Sequence, residues 1–182
     1  MKLIIFDLDG TLFQAKPVIS RAADADAAQG RYKELVSEAI VEIGRLFPGV
    51  FEAVKALREK GHELVVCSRS PDWYIKLVLE HTGISQCFTG HYSSAAYASK
   101  AVLFKEILEE FSEAGRQVPA VVVGDTHGDI EAAHDAGLPA IAAMYGYGNK
   151  EMLSGADAFA HSAGELLQKI CFYMEAGNGE ES

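Results

Sequence analysis

A chain of 182 residues, 49% of them apolar, has the size of one domain with at most a small insertion, and enough hydrophobic matter to bury a core. Its formal net charge of −10 argues against nonspecific binding to nucleic acid or an anionic membrane, without forbidding an anionic ligand, because a bound cation reverses the field locally. No apolar run approaches the ~20 residues of a membrane helix. Met1-Lys2 opens no signal peptide, and Cys67, Cys87 and Cys171 lack CxxC spacing, so a cytoplasmic protein with reduced thiols is expected.

In chain order, Leu3-Ile4-Ile5-Phe6 is a continuous apolar run and reads as a strand buried on both faces. No second strand follows between 13 and 47. The stretch from Arg21 to Gly30 fits a short helix or a loop, and Tyr32, Leu35, Val36, Ala39, Ile40, Ile43 and Phe47 give an amphipathic helix. After Pro48-Gly49, Phe51, Val54 and Leu57 form a helical stripe stopped by Gly61. A strand at Leu64-Val65-Val66-Cys67 precedes a helix through Ile75, Val78 and Leu79, which Gly83 ends, and a weaker strand signal lies near Phe88. Leu103, Ile107, Leu108 and Phe111 predict a helix ended by Gly115; strands follow at Val121–Val123, Ala140–Ala143 and, more weakly, Ala158–Ala160. Leu166, Leu167 and Ile170 mark a last helix, before an acidic tail. Alternating strands and helices predict an α/β, Rossmann-like three-layer sandwich with a mainly parallel sheet. Residues 1–12 and 48–175 are its core, 13–47 a small helical cap inserted after strand one, and 176–182 a flexible tail.

Ligands of parallel α/β sheets sit beyond the carboxyl ends of the strands. Here those ends read Asp7-Leu8-Asp9-Gly10-Thr11, Ser68-Arg69-Ser70 and Gly124-Asp125-Thr126-His127-Gly128-Asp129. Carboxylates gathered on one edge repel one another without a cation, and all-oxygen ligation favours magnesium. Taken singly, Asp7 and Asp9 also fit a turn capped by Thr11, and Asp129 also fits a helix N-terminus. A calcium loop counted from Asp7 is excluded: its sixth position is Leu12 instead of glycine and its twelfth is Val18 instead of glutamate.

Phe6-Asp7-Leu8-Asp9-Gly10-Thr11-Leu12, Val66-Cys67-Ser68, Lys100 and Val123-Gly124-Asp125-Thr126-His127-Gly128-Asp129 follow one another in the order of four known motifs. In them the sequence resembles the haloacid dehalogenase superfamily, and within it the phosphatases similar to phosphoglycolate phosphatase. The likeness runs from Met1 to about Leu167. It implies a Mg²⁺-dependent phosphatase acting on a small phosphorylated metabolite. Asp7 is then the nucleophile that forms an aspartyl-phosphate, and Asp9 the general acid and base. Ser68 binds phosphoryl oxygens and Lys100 neutralises charge. Asp7, the Asp9 carbonyl, Asp125 and Asp129 serve the metal. Gly10, Thr11 and Arg69 are candidates for contacting substrate.

Lys105 is a rival to Lys100, which is favoured by standing 25 positions before Asp125. Arg69 stands where many relatives have asparagine, and either grips a second anion or pairs with a carboxylate. The insertion, 35 residues long, is about half the usual length for a full helical cap, which weakens transfer of phosphoglycolate specificity. Arg21, Arg31, Lys33 and Arg45 are its candidate anion contacts. Two other classes compete. Gly124-Asp125-Thr126-His127-Gly128 and Gly148-Asn149-Lys150-Glu151 resemble motifs of calcineurin-like metallophosphoesterases, but the D-x-H pair is missing. A receiver-like phospho-acceptor domain also uses aspartate, a hydroxyl, lysine and Mg²⁺, but without a DxD after strand one.

Overall fold

A computed structural model describes residues 2–26, 31–112 and 118–176. Gly30, Gly115 and the tail beyond 176 lie outside the described residues. Six strands, β1 (Leu3–Phe6), β2 (Glu63–Ser68), β3 (Gly90–Ser93), β4 (Ala120–Gly124), β5 (Ala140–Ala143) and β6 (Ala158–Ala160), form one sheet in the order β3-β2-β1-β4-β5-β6. Every neighbouring pair is parallel. Seven helices accompany them among the described residues: α1 (Ala15–Asp26), α2 (Tyr32–Ile43), α3 (Val50–Glu59), α4 (Asp72–His81), α5 (Lys100–Glu110), α6 (His127–Asp135) and α7 (Ala163–Ala176).

The continuous apolar runs have a direct cause. Side chains alternate across a strand, so Ile4 and Phe6 enter one core with Leu64, Val66, Val121 and Val123, while Leu3 and Ile5 enter the other with Val65, Cys67 and Val122. Helices α3, α4 and α7 cover the first face, and α5 and α6 the second. The result is the expected three-layer α/β sandwich. From central β1 the chain builds outward both ways, to β2 and β3 and to β4, β5 and β6, so the connections diverge at the carboxyl ends of β1 and β4.

Among the described residues, two helices, α1 and α2, stand between β1 and α3. Of the stretch from Arg21 to Gly30, residues 21–26 are helix, since α1 begins at Ala15 and runs to Asp26, and residues 27–30 lie outside the described residues. Helices α1 and α2 pack on each other, and their inner residues Val18, Ala22, Val36, Ala39 and Ile40 belong to the same apolar cluster as Ile4 and Phe6. The two chain segments at their base lie side by side: Gln14 N–H donates to the Arg45 carbonyl (2.9 Å) and Phe47 N–H to that of Leu12 (3.0 Å). The weak strand signal near Phe88 resolves into a 3₁₀ turn at Ser85–Cys87 followed by β3 two residues after Phe88. Among the described residues no helix is long and apolar enough to cross a membrane.

Candidate active site

Asp7 leaves β1 with its N–H still bonded to the Val123 carbonyl (2.8 Å), so its carboxylate is fixed at the sheet's edge. The chain then turns sharply: Leu12 and Phe13 N–H both bond back to the Leu8 carbonyl at 2.9 Å, and Gly10 takes φ +94°, in the left-handed region that favours glycine. The turn brings Gly10 against Asp125, with no room for a Cβ.

Asp125 and Asp129 come from the end of β4 and the first turn of α6. Thr126 N–H and Oγ1 both donate to Asp129 Oδ2 (3.1 and 2.6 Å), which satisfies free donors at the helix start and fixes the carboxylate. Asp125 Oδ2 accepts the Tyr147 N–H (2.7 Å), and Thr11 Oγ1 lies 3.4 Å from Oδ1. One ligand oxygen from each of Asp7, Asp125 and Asp129 falls within 4.8 Å of the others, and all three residues are buried.

Lys100 is the first residue of α5, after Ser99 as N-cap. Its ammonium stands 2.5 Å from both Asp7 Oδ1 and Asp129 Oδ1. Lys105, the rival in sequence, is exposed on the same helix. Among the described residues Lys100 is the one cation in ion-pair reach of the carboxylate trio. Burial pushes the Asp7 carboxyl up to about 8, with Asp129 adding to the push and Lys100 opposing it. Burial, helped by Asp129, lifts Asp125 to about 6 against the Tyr147 N–H. Burial works against the Lys100 charge, but Asp7 and Asp129 outweigh it and move its pKa above the usual lysine range. Three buried carboxylates facing one ammonium are a set of hard oxygen donors short of positive charge, and a divalent cation fits them.

Asp9 points elsewhere. Its Oδ2 accepts from Ser70 Oγ (2.6 Å) and its Oδ1 from Tyr74 Oη (2.8 Å). Burial raises its pKa, and these two hydroxyls oppose the rise. Ser68, buried at the end of β2, takes the Ser70 N–H on its Oγ (3.1 Å).

A cavity of about 440 Å³ opens over this edge. Asp7, Asp9, Ser68, Arg69 and Ser70 line one side, residues 94–95 and 97–101 another, and Thr126, Gly128, Asp129, Glu131, Ala132 and Asp135 a third. Arg69 is exposed there and has no hydrogen-bond or ion-pair partner among the described residues. Gly10 and Thr11, expected at the substrate, are not on the cavity wall; Thr11 is fully buried behind Asp125. None of the described residues between 13 and 47 lines the cavity either. Arg21, one candidate anion contact, pairs with Glu42 on α2 instead. His127 faces Glu131 (3.0 Å) and the Met152 carbonyl (3.1 Å), off the cavity wall.

Sequence reasoning gave no role to Ser70, though it stands at a strand end, and missed Tyr74 and the turn Tyr145-Gly146-Tyr147. Tyr74 lies beside an apolar stripe and reads as core. The turn's role depends on space: a Cβ on Gly146 would stand 2.4 Å from Asp125 Cβ, and one on Gly148 2.1 Å from the Asp125 carbonyl oxygen. The glycine spacing of this turn was the available signal.

Residues 16–134, more than half of the chain, match the family model for haloacid dehalogenase-like hydrolases. A phosphoglycolate phosphatase of Vibrio parahaemolyticus is 24% identical over 221 aligned positions, covering 93% of this chain and 96% of that protein. That alignment exceeds the chain's own 182 residues, so the relative carries residues missing here. One from Haemophilus influenzae is 32% identical over 120 residues, 64% of this chain and 53% of that protein. A solved haloacid dehalogenase-like family hydrolase from Streptococcus pneumoniae superposes with TM-score 0.74 at 20% identity, over 93% of this chain and 98% of that one, a likeness of fold.

Proposed function

The chain belongs to the haloacid dehalogenase-like hydrolases, as a phosphatase of that family, and on that premise we propose that it hydrolyses a small phosphorylated metabolite through an aspartyl-phosphate on Asp7. The observation that carries this reading is the division of the two N-terminal carboxylates. Asp7 lies with Asp125 and Asp129 beside Lys100, while Asp9, two residues on, is turned to Ser70 and Tyr74. One carboxylate is placed among charges suited to a phosphoryl group, and the other is kept apart as a proton carrier.

In the first half-reaction an Asp7 oxygen forms a bond to phosphorus as the ester P–O bond breaks. The leaving oxygen takes the bonding pair and the proton of Asp9. In the second half, water gives a proton to Asp9 as its oxygen bonds to phosphorus and the P–O bond to Asp7 breaks. Phosphate departs, and Asp7 is carboxylate again. Ser68 donates a hydrogen bond to the phosphoryl group, and Lys100 neutralises charge shared between Asp7 and the transferring oxygens. Asp7, Asp125, Asp129 and the Asp9 carbonyl are the set that would hold Mg²⁺, which supplies Lewis-acid charge to the phosphoryl oxygens. Among the described residues Arg69 is the unpaired cation of the cavity wall, and it is the leading candidate for a second anionic group on the substrate.

We assign residues 1–12 and 48–175 to the catalytic core and 13–47 to a reduced cap. Free Cys67, Cys87 and Cys171 suit a cytoplasmic setting. A panel of phosphate esters with Mg²⁺, phosphoglycolate among them because relatives bear that name, tests the reading alongside Asp7→Asn. Loss of turnover and of a base-labile phosphoprotein in that variant is the expected result; full activity would overturn the mechanism. A receiver-like phospho-acceptor would instead show a long-lived phosphoprotein without turnover.

A further inference from the structure

We propose that Tyr74 and Ser70 are positioning residues for Asp9 with divided roles: Tyr74 permanently fixes Oδ1, and Ser70 occupies Oδ2 until the leaving oxygen of the substrate displaces it. This rests on the reading of Asp9 as acid and base.

The two hydroxyls differ in how they are held. Tyr74 is 3% exposed. Its ring stands edge-on to Phe13 and Trp73, with centroids 6.4 and 5.9 Å away, on a helix that buries Ile75 and Val78. A ring fixed in that way delivers its hydroxyl to one place. It does not line the cavity. Ser70 does line it, and its main chain is pinned on both sides: its N–H donates to Ser68 Oγ (3.1 Å) and its carbonyl accepts from Ser93 Oγ (2.8 Å). The Ser70 hydroxyl is left as a single-bond rotor that can donate or accept. Oδ2 is therefore the Asp9 oxygen on the cavity side, and Oδ1 the oxygen on the protein side.

Proton transfer then has one route. In the acid form the proton sits on Oδ2 and the Ser70 hydroxyl turns away or accepts. As the ester P–O bond breaks, the leaving oxygen takes the bonding pair and that proton, and Asp9 is left as a carboxylate bonded by Tyr74 and again by Ser70. Water returns a proton to Oδ2 in the second half-reaction. Tyr74 touches neither substrate nor phosphorus; it sets the direction of Oδ2, and loss of such alignment is costly.

The test uses leaving groups that differ in their need for a proton. For Tyr74→Phe, kcat/KM on alkyl phosphates is expected to fall ~10- to 100-fold. The expected loss on p-nitrophenyl phosphate, whose leaving group departs unprotonated, is under about threefold, with KM little changed. Ser70→Ala costs several times less than Tyr74→Phe on the alkyl esters. An equal fall on both substrate types, no fall on either, or a larger loss for Ser70→Ala would overturn the proposal. Asp9→Asn separates the two levels: if it keeps wild-type rates on alkyl phosphates, the reading of Asp9 itself is wrong. If it collapses while Tyr74→Phe shows no leaving-group dependence, only the positioning role is wrong.

Discussion

Gly10 sits where backbone strain and a steric conflict can be separated experimentally. An alanine there has two costs. Its φ of +94° strains any residue with a Cβ, at ~1–2 kcal/mol. The new Cβ would also lie 2.1 Å from Asp125 Oδ2, where contacts below 3.0 Å are not tolerated, so that oxygen must retreat by about 0.9 Å. It is the oxygen that accepts the Tyr147 N–H at 2.7 Å, and its carboxylate belongs to the trio with Asp7 and Asp129. A displacement near 1 Å at a reacting centre costs ~10²-fold in rate, and a disturbed ligand weakens metal binding ~10- to 100-fold. Gly61 supplies the control: its φ is +81°, but nothing lies within 4 Å of its would-be Cβ. Gly61→Ala should therefore show the strain alone, a fall in Tm of roughly 2–8 °C with kcat/KM maintained. Gly10→Ala should show a similar or larger Tm loss together with the ~10²-fold loss of kcat/KM and a rightward shift in Mg²⁺ titration. Equal activity and equal metal affinity in the two variants would refute the close approach of Gly10 to Asp125 as the reason for a glycine there.

Lys100→Met leaves Asp7 and Asp129 facing each other without the ammonium that stands 2.5 Å from each; steady-state kinetics should show kcat/KM lower by roughly 10² to 10³. Because the Asp7 and Asp125 carboxyls are raised to about 8 and about 6, the metal-free native state binds more protons than the unfolded chain from ~pH 4 up to ~pH 8. Its stability therefore falls as pH rises through that window. Mg²⁺ competes with those protons, so the rise in Tm on adding it should be larger near ~pH 8 than near ~pH 5.5; equal shifts in thermal melts would contradict the linkage. Ile40→Ala empties a fully buried position on α2 and should cost ~3 kcal/mol, roughly 6–12 °C in Tm. Because α1 and α2 share the sheet's core, that loss should appear as one cooperative transition in calorimetry and not as a separate early melt.

Strands buried on both faces write themselves as unbroken apolar runs, so β1, β2, β4 and β5 were legible at Leu3, Leu64, Val121 and Ala140. Their parallel ladders bring together carboxylates that the sequence had already placed at strand ends. Asp7, Asp125, Asp129 and Lys100 lie together, although positions 7 and 129 are far apart in the chain. What escaped depends on orientation and space instead of residue type. Thr11 is adjacent to the DxD pair, yet a turn at Gly10 buries it behind Asp125. Tyr74 has the period of a core residue, and only its hydroxyl betrays another use. An amphipathic helix was legible from Tyr32 onward, but such a pattern says that a face is buried, not against what. Here the face is buried against the sheet's own core, leaving the cavity lined by other segments.

The shared core beneath α1 and α2 changes where selectivity has to come from. Helices anchored through Val18, Ala22, Val36 and Ile40 cannot swing without exposing those side chains, which sets a cost on any motion that would close them over the cavity. Residues 97–99 and α6 line that cavity from two sides. In the proposed mechanism, substrates are screened by what grips the phosphoryl end and by the few residues on the cavity rim. The short segment around Tyr97 is then the natural place for relatives, or for an engineer, to rewrite specificity while leaving the chemistry alone.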